Sequence, residues 1–515
     1  MPFIDANQTL LERDWTGFDI TIVGAGAAGI MLAVLLGKRG RNVLLLDSGH
    51  LEFDDERQTL NEIEQSAKPL GNAIWNRRRV VGGTTTAWGG QSLPFGALDF
   101  QTRDWVPRSG WPISLDTLAP HYITANRFMG IDGDNYDSDI LRLLGRHAPE
   151  VDPDLLYYHY SKWARQPDFH KLHRADIERH VTLLYNAHLT RIDLGDDGRV
   201  RSIEVSDFRD RRRALPVAAL ALAAGGIETN RILLLNDHQR SGGLGNHSGW
   251  LGKAFFEHPS TSGGIVETDD PMRLQQYFAV RIRRRIRYSV RLSASRAWQE
   301  RNRLLNASAG LIWSEEDDYG PLSVLKRFVA RPTPRDALKL ARMGRPLAES
   351  LWVLAREGLV YRPGASARLG LVCEQAPSRD SYIALGDSTD RFGLRKARLH
   401  WRIDRATWTT AVRFAQTIAT ELARLNLGSL RLPPGLRADA EDFEDHLHDA
   451  NHHMGGARMS ADAASGVVDG RLRPWGIPNL YVCSAAVFPT GSHSNPTLTL
   501  LALVARLADE LTQTG

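Results

Sequence analysis

Apolar and polar positions follow two different periods along this chain. Residues 19–23 (DITIV) form a β-branched run that stops at glycines, 27–36 read as a helix apolar on every side, and 42–46 (NVLLL) are a second unbroken apolar run ending at Asp47. Unbroken runs mark strands covered on both faces, so the chain opens as strand, glycine turn, helix, strand, which is half of a doubly wound sheet. The middle is different. After a polar, aromatic stretch at 157–174, residues 281–312 and 382–403 alternate polar and apolar at the period of two expected of half-buried antiparallel strands. Between them, 322–359 carry helical spacing with breaks expected at Pro332, Pro334 and Pro346, which suits a surface insertion or lid. The end returns to the opening pattern: 479–482 (NLYV) read as a strand, and 496–511 as a strongly apolar helix introduced by Asn495 and Pro496, good cap and first-turn residues. No internal repeat is present.

At 515 residues the chain exceeds what one core usually serves, so two lobes are expected. Cys373 and Cys483 lie far apart and read as small core residues, neither bridged nor metal-ligating, and no metal site is expected. Sixty-four Lys and Arg against 60 Asp and Glu leave a net charge of +4, which excludes a dedicated nucleic-acid binder. The basic residues cluster at 281–291 and 326–345, where a solvated face is the simple reading and an acidic partner or anionic lipid surface the alternative. The first residues lack a basic start with an apolar run, and no stretch is long enough to span a bilayer, so a cytoplasmic protein without membrane contact is expected.

Gly24, Gly26 and Gly29 make a GxGxxG between the first strand and the first helix: the first glycine permits the tight turn, the second close backbone approach to a pyrophosphate, the third helix-on-strand packing. Asp47, about twenty residues on, is placed to accept from a ribose hydroxyl and disfavours a 2′-phosphate. Residues 80–90 (VVGGTTTAWGG), with Gly83, Thr84, Ala87 and Trp88, have the composition of backbone passing close to a flat ligand.

With that segment the chain resembles the glucose-methanol-choline (GMC) flavoprotein family, and within it the pyranose oxidase and glycoside 3-dehydrogenase branches. Matching segments are 221–235 (ALAAGGIETNRILLL), 249–259 (GWLGKAFFEHP), 374–377 (EQAP) and most of 452–511. The resemblance implies an α/β fold: a Rossmann-like FAD-binding domain from 1–100, 176–258 and 445–515, with an α+β substrate domain of antiparallel sheet and helices from 101–175 and 259–444, of which 318–365 are the helical insertion. It also implies FAD as cofactor, held non-covalently because Ala87 stands where pyranose oxidases carry the histidine that bonds to the flavin. Cofactor contacts are implied for Gly24, Gly26, Gly29, Asp47, Gly83, Thr84, Ala87, Trp88, the backbone of Leu189, and for Ser484, Ala485, Pro496 and Thr497. Many relatives have aspartate where this chain has Ser484.

Oxidising an alcohol requires a base for the hydroxyl proton, and neutral imidazole suits that task near pH 7. The residues alone leave His452 and His453 equal. Counting back from Met459, the resemblance selects His452 as the catalytic histidine and Asn495 as its partner, orienting the hydroxyl. Gln375, Asn306 and His493 are implied as substrate contacts, with His258 at the edge of the site. The helix beginning at Pro496 presents a partly positive N-terminus, implied to face the flavin where negative charge gathers on reduction. The expected activity is oxidation of a sugar or glycoside hydroxyl to a carbonyl by hydride transfer to flavin N5, with oxygen, a quinone or another carrier as acceptor. Alternatives are a glycosylated natural product or aminocyclitol as substrate, a flavin-binding partner protein without turnover, or a nicotinamide-dependent dehydrogenase, which leaves the C-terminal block without a role.

Overall fold

The computed structural model describes residues 3–133, 135–137, 141, 146–314 and 320–513. Six strands, β1 (Phe3–Asp5), β2 (Ile20–Val23), β3 (Val43–Leu46), β4 (Thr182–Tyr185), β5 (Leu220–Leu222) and β6 (Leu480–Val482), form one parallel sheet in the order β1-β4-β3-β2-β5-β6. Every residue of β2, β3 and β5 is buried, which is why these strands read as unbroken apolar runs. Four helices frame this sheet and its crevice: α1 (Ala27–Lys38), α2 (Leu115–Phe128), α3 (Gly226–Leu235) and α4 (Pro496–Gln513). The apolar residues of α4 pack on α1 and α2, so the two ends of the chain share one core with the parallel sheet.

A large antiparallel sheet runs Ser429–Arg431, Ser260–Glu267, Ser366–Cys373, Ala307–Ser314, Ile286–Ala294, Leu156–Trp163, Gln91–Ser92 from edge to edge. The helix Arg405–Arg424 lays Trp408, Phe414 and Ile418 into a second core with it. The polar, aromatic stretch therefore contributes a strand, Leu156–Trp163, whose tyrosines 158 and 160 are buried. The alternating stretch at 382–403 forms a hairpin, but in another sheet: Lys253 stands opposite Tyr382, and Arg398–Trp401 pair in parallel with Glu64–Ala67. Short-range alternation specifies a strand and its buried face, whereas its neighbours are set by distant residues.

The helical insertion consists of Pro321–Ala330, Pro334–Arg342 and Gly344–Glu357. Pro332 and Pro334 make the expected first break. Pro346 makes none: it sits in the first turn of the third helix, where a missing N–H costs nothing, and the second break falls at Met343 instead. Residues 318 and 319, the expected start of this insertion, lie outside the described residues. Among the described residues no helix is long and apolar enough to cross a membrane, and both cysteines are free and buried.

A fully buried ion pair ties the segment after β3 to the antiparallel sheet. Arg103 Nη1 and Nη2 donate to Glu374 Oε2 and Oε1 at 2.7 and 2.6 Å, with neither side chain exposed. Removing one partner strands a charge in the core, which typically costs about 3–5 kcal/mol. Arg103→Leu is expected to lower the unfolding free energy by that order in denaturant titration. Adding Glu374→Leu should recover much of it, because the uncompensated charge is then gone.

Candidate active site

A cleft of about 600 Å³ opens where β2, β3, β5 and β6 end. Gly24, Asp47, Ala223 and Cys483, each just beyond the C-terminal end of one of these parallel strands, all line it, the usual place for a ligand in an open α/β sheet. The glycine turn is closed by contact: a Cβ on Gly29 would stand 1.8 Å from the carbonyl oxygen of Gly24. A Cβ on Gly26 would meet nothing within 4 Å, so its bare backbone faces open space. The helix α1 starts directly after Gly26 with no side chain capping it, leaving its first N–H groups and the positive end of its dipole directed to the cleft. The second glycine loop, Gly83–Thr86, is a single tight turn held on the first by the Gly82 N–H donating to the Ala25 carbonyl at 2.8 Å. Thr84, Ala87 and Trp88 then line the cleft, with the Trp88 indole anchored on the Pro167 carbonyl at 2.8 Å.

Asp47 accepts from the N–H groups of Ala25 and Gly49, each at 2.6 Å, which fixes both oxygens at the cleft wall. Burial pushes its carboxyl up, against those two N–H groups and the charge of Arg79. Arg77, Arg78 and Arg79 line the same wall. Glu228 is buried between Arg231 at 2.9 Å and Arg79 at 3.4 Å; burial opposes its charge, but these guanidinium groups hold its pKa down to about 2. Leu189, on the strand His188–Leu194, lines the cleft as well.

At the other end stand His452 and Asn495, with Asn495 Nδ2 3.1 Å from His452 Nε2. On its far side, His452 Nδ1 lies 2.9 Å from Nδ1 of His258, whose Nε2 lies 2.9 Å from the Gly491 carbonyl oxygen. Burial first, then the neighbouring His258, His453 and Arg291, hold the pKa of His452 well below the usual imidazole range, so it is neutral. The side chain of Arg291 makes no hydrogen bond or ion pair among the described residues, yet its charge reaches His452, His493 and His159. Beyond His452 begins the helix α4, whose first residues Pro496 and Thr497 line the cleft.

The structure brings together at this cleft Gly24, Gly26, Asp47, Gly83, Thr84, Ala87, Trp88, Leu189, Ala485, His452, Asn495, Pro496 and Thr497. Others lie behind it. Gly29 packs within the turn, and Ser484 Oγ accepts from the Ala486 N–H at 3.2 Å. Gln375 is absorbed by the scaffold, accepting from the Trp401 indole at 2.9 Å and donating to the Arg402 carbonyl at 2.6 Å. Asn306 lies one residue before its strand and donates to Asp99 at 2.8 Å, and His493 is bound to Ser293 at 2.9 Å. Sequence reasoning missed the arginines 77–79, although the run WNRRRVVGG stands directly before the second glycine loop. It also passed over the partnership of His258 with His452, 194 positions apart.

The fold is of the α/β class. The GMC oxidoreductase profile matches residues 377–504. A C-glycoside 3-oxidase of Microbacterium trichothecenolyticum is 31% identical over 156 residues, 29% of this chain and 28% of that one, so the match spans about a quarter of that relative's length. A paromamine 6′-oxidase of Streptomyces fradiae is 21% identical over an alignment covering 96% of this chain and 91% of that one. Among solved structures, formate oxidase of Aspergillus oryzae superposes with a TM-score of 0.55 at 16% identity, covering 98% of this chain and 99% of that one. Residues 377–504 thus match the GMC oxidoreductase family, whose members bind FAD, and the whole chain shares its fold with a solved oxidase. The cleft suits that cofactor: a bare backbone and an uncapped helix end for a diphosphate, a carboxylate for a ribose, and a second helix end beside the histidine for the flavin ring.

Glu257 and His453 form a buried neutral pair beside the reaction end, Oε1 and Nε2 being 3.6 Å apart. Burial pushes the Glu257 pKa up to about 8 and that of His453 down to about 3. The folded protein therefore keeps Glu257 protonated where the unfolded chain, with an ordinary value of 4.5, ionises it. That contribution to stability is complete below about pH 4.5 and is lost as pH rises toward 8. Glu257→Gln, which cannot ionise, should gain thermal stability relative to the parent between pH 5 and pH 9. A difference in melting temperature that stays constant across that range would contradict a protonated Glu257.

Proposed function

We propose that this protein oxidises the hydroxyl of a sugar or glycoside to a carbonyl, with FAD in the cleft, His452 as base and Asn495 as the group that orients the hydroxyl. When bound, FAD supplies the acceptor for the hydride that leaves the substrate carbon. The observation that carries this reading is the pairing of a neutral, half-buried imidazole with a carboxamide at one end of a cleft whose other end suits a dinucleotide. His452 takes the hydroxyl proton at Nε2, the ring nitrogen that faces Asn495 and the cleft. The substrate oxygen takes the place of the Asn495 amide at that nitrogen and is held in line with it by the same amide, and the cluster behind His452 keeps bulk water from competing for its lone pair. The dinucleotide is held by Gly24, Gly26, Asp47 and the Gly83–Trp88 loop.

The flavin is held without a covalent bond in this reading, because Ala87, which lines the cleft, is the position where the resemblance puts the bonding histidine and a methyl group cannot bond. The proposed division of labour is a cofactor domain from 1–100, 176–258 and 445–515, and a substrate domain from 101–175 and 259–444, with strand pairing across the two at 64–67 and 91–92. A cationic aminocyclitol, suggested by the name of the paromamine 6′-oxidase relative, is disfavoured because the unpaired charge of Arg291 lies within range of His452. Neutral glycosides carry no such penalty. Reoxidation is by oxygen or a small carrier, and the His452–Asn495 pair argues against a flavin-binding protein without turnover.

His452→Ala is expected to slow anaerobic flavin bleaching by a reactive sugar on the order of 10²- to 10⁴-fold while retaining the flavin, measured by stopped-flow absorbance. Bleaching at the parent rate would remove His452 from the mechanism. Acid precipitation of the parent protein should leave the yellow colour in the supernatant; a yellow pellet would contradict the non-covalent reading.

A further inference from the structure

We propose that His258 is a positioning residue that fixes the tautomer of His452, with the Gly491 carbonyl as the fixed end of the chain. The inference rests on the reading of His452 as the base. A carbonyl oxygen only accepts, so the Gly491 contact at 2.9 Å requires the proton of His258 to sit on Nε2. His258 Nδ1 is then a bare lone pair, and it lies 2.9 Å from His452 Nδ1. That contact is a hydrogen bond only if His452 carries its proton on Nδ1. The remaining nitrogen, His452 Nε2, is left unprotonated, and it is the one that faces Asn495 and the cleft.

The directions agree along the whole line. The Asn495 amide donates to His452 Nε2, His452 Nδ1 to His258 Nδ1, and His258 Nε2 to the carbonyl of Gly491. The reverse arrangement places a lone pair against the Gly491 lone pairs at 2.9 Å, around a histidine with no solvent exposure. An unmade hydrogen bond costs most in such a place. Protonating both nitrogens of His258 is opposed by the same burial, which pulls its pKa down to about 4.

The far end of the chain is itself held in place. A Cβ on Gly491 would stand 2.8 Å from Phe256 and 3.1 Å from Met454, so no side chain fits there and the carbonyl stays within reach of the ring. The backbone N–H of His258 is anchored on Glu257 Oε2 at 2.9 Å. The two imidazoles meet nearly perpendicular, at 83°, with centroids 5.0 Å apart, so His258 fixes the rotation of the His452 ring as well as its proton. When His452 accepts a proton at Nε2, its Nδ1–H still points at a neutral acceptor, which favours the cation formed during reaction without adding a charge at rest.

The test uses the flavin-loaded protein labelled with ¹⁵N-histidine, with the His452 signals assigned by their loss in His452→Ala. The parent is expected to show a protonated Nδ1 and an unprotonated Nε2 on His452. His258→Phe keeps a ring but can neither accept nor donate. It should mix the His452 tautomers and lower the limiting rate of substrate-driven flavin reduction on the order of 10²-fold, with little change in half-saturation. His258→Gln, whose carboxamide can accept from His452 and donate to Gly491, should restore the Nδ1–H tautomer and most of that rate. A proton on Nε2 of His452 in the parent would overturn the proposal, as would His258→Phe keeping both tautomer and rate. If His258→Phe does not fold, the parent spectrum and His258→Gln decide. The predicted tautomer together with a His452→Ala variant that reduces flavin at the parent rate would uphold the positioning chain and instead sink the reading of His452 as base.

Discussion

The parallel pairing of β5 between β2 and β6 is the constraint on which the rest depends. Leu220 stands opposite Thr21 on one side and Leu480 on the other, so three segments some 200 and 260 residues apart end side by side. Each strand delivers residues that follow it to one crevice: the glycine turn after β2, Ala223 to Glu228 after β5, and Cys483, Ala485 and Asn495 after β6. These strands share a large apolar core with α1 and α4, so a shift of register would expose buried apolar side chains. A shift of one residue in β6 would move Asn495 and the start of α4 away from His452, since both hang from its end.

The reaction end is held by the opposite kind of force. His452, His453, His258 and His493 are packed so tightly that burial leads the causes lowering each pKa, and the Arg291 charge acts in the same sense on His452 and His493. For His452 and His258 that neutrality is matched by hydrogen bonds of consistent direction. That is why the chain from Asn495 to the Gly491 carbonyl has one consistent assignment. Glu257, protonated beside His453, follows the same rule, with neutrality preferred over a buried ion pair. The Arg103–Glu374 pair shows the exception, where bidentate geometry compensates two buried charges.

Much of this was legible in the sequence where chemistry is local. GxGxxG, Asp47 and the apolar runs around them predict strand, turn and helix because each depends on residues within a few positions, and β2, α1 and β3 lie within one or two residues of the expected bounds. The helix beginning at Pro496 was equally plain. What the sequence hides is long-range choice of partner. Gln375 and Asn306 look like substrate contacts in a one-dimensional reading, but Trp401 donates to the Gln375 carbonyl and Asp99, brought up from another segment, accepts from the Asn306 amide N–H. The hairpin at 382–401 was readable as strands, while its sheet was decided by Glu64–Ala67, over 300 positions away. His258 was legible only as a residue at the edge of the site, since its role comes from a histidine in another segment and from a backbone carbonyl.

The central claim is that one cleft holds FAD at one end and presents a neutral base to an alcohol at the other. It is tested most directly by titrating the purified protein, under anaerobic conditions, with a panel of neutral sugars, glycosides and small alcohols while recording the visible spectrum, and then admitting air. The account predicts an oxidised flavin spectrum at the outset and its bleaching by at least one sugar or glycoside, with the rate of return in air separating an oxygen acceptor from another carrier. A protein that binds no flavin after reconstitution, or a bound flavin that no member of the panel bleaches, would contradict it.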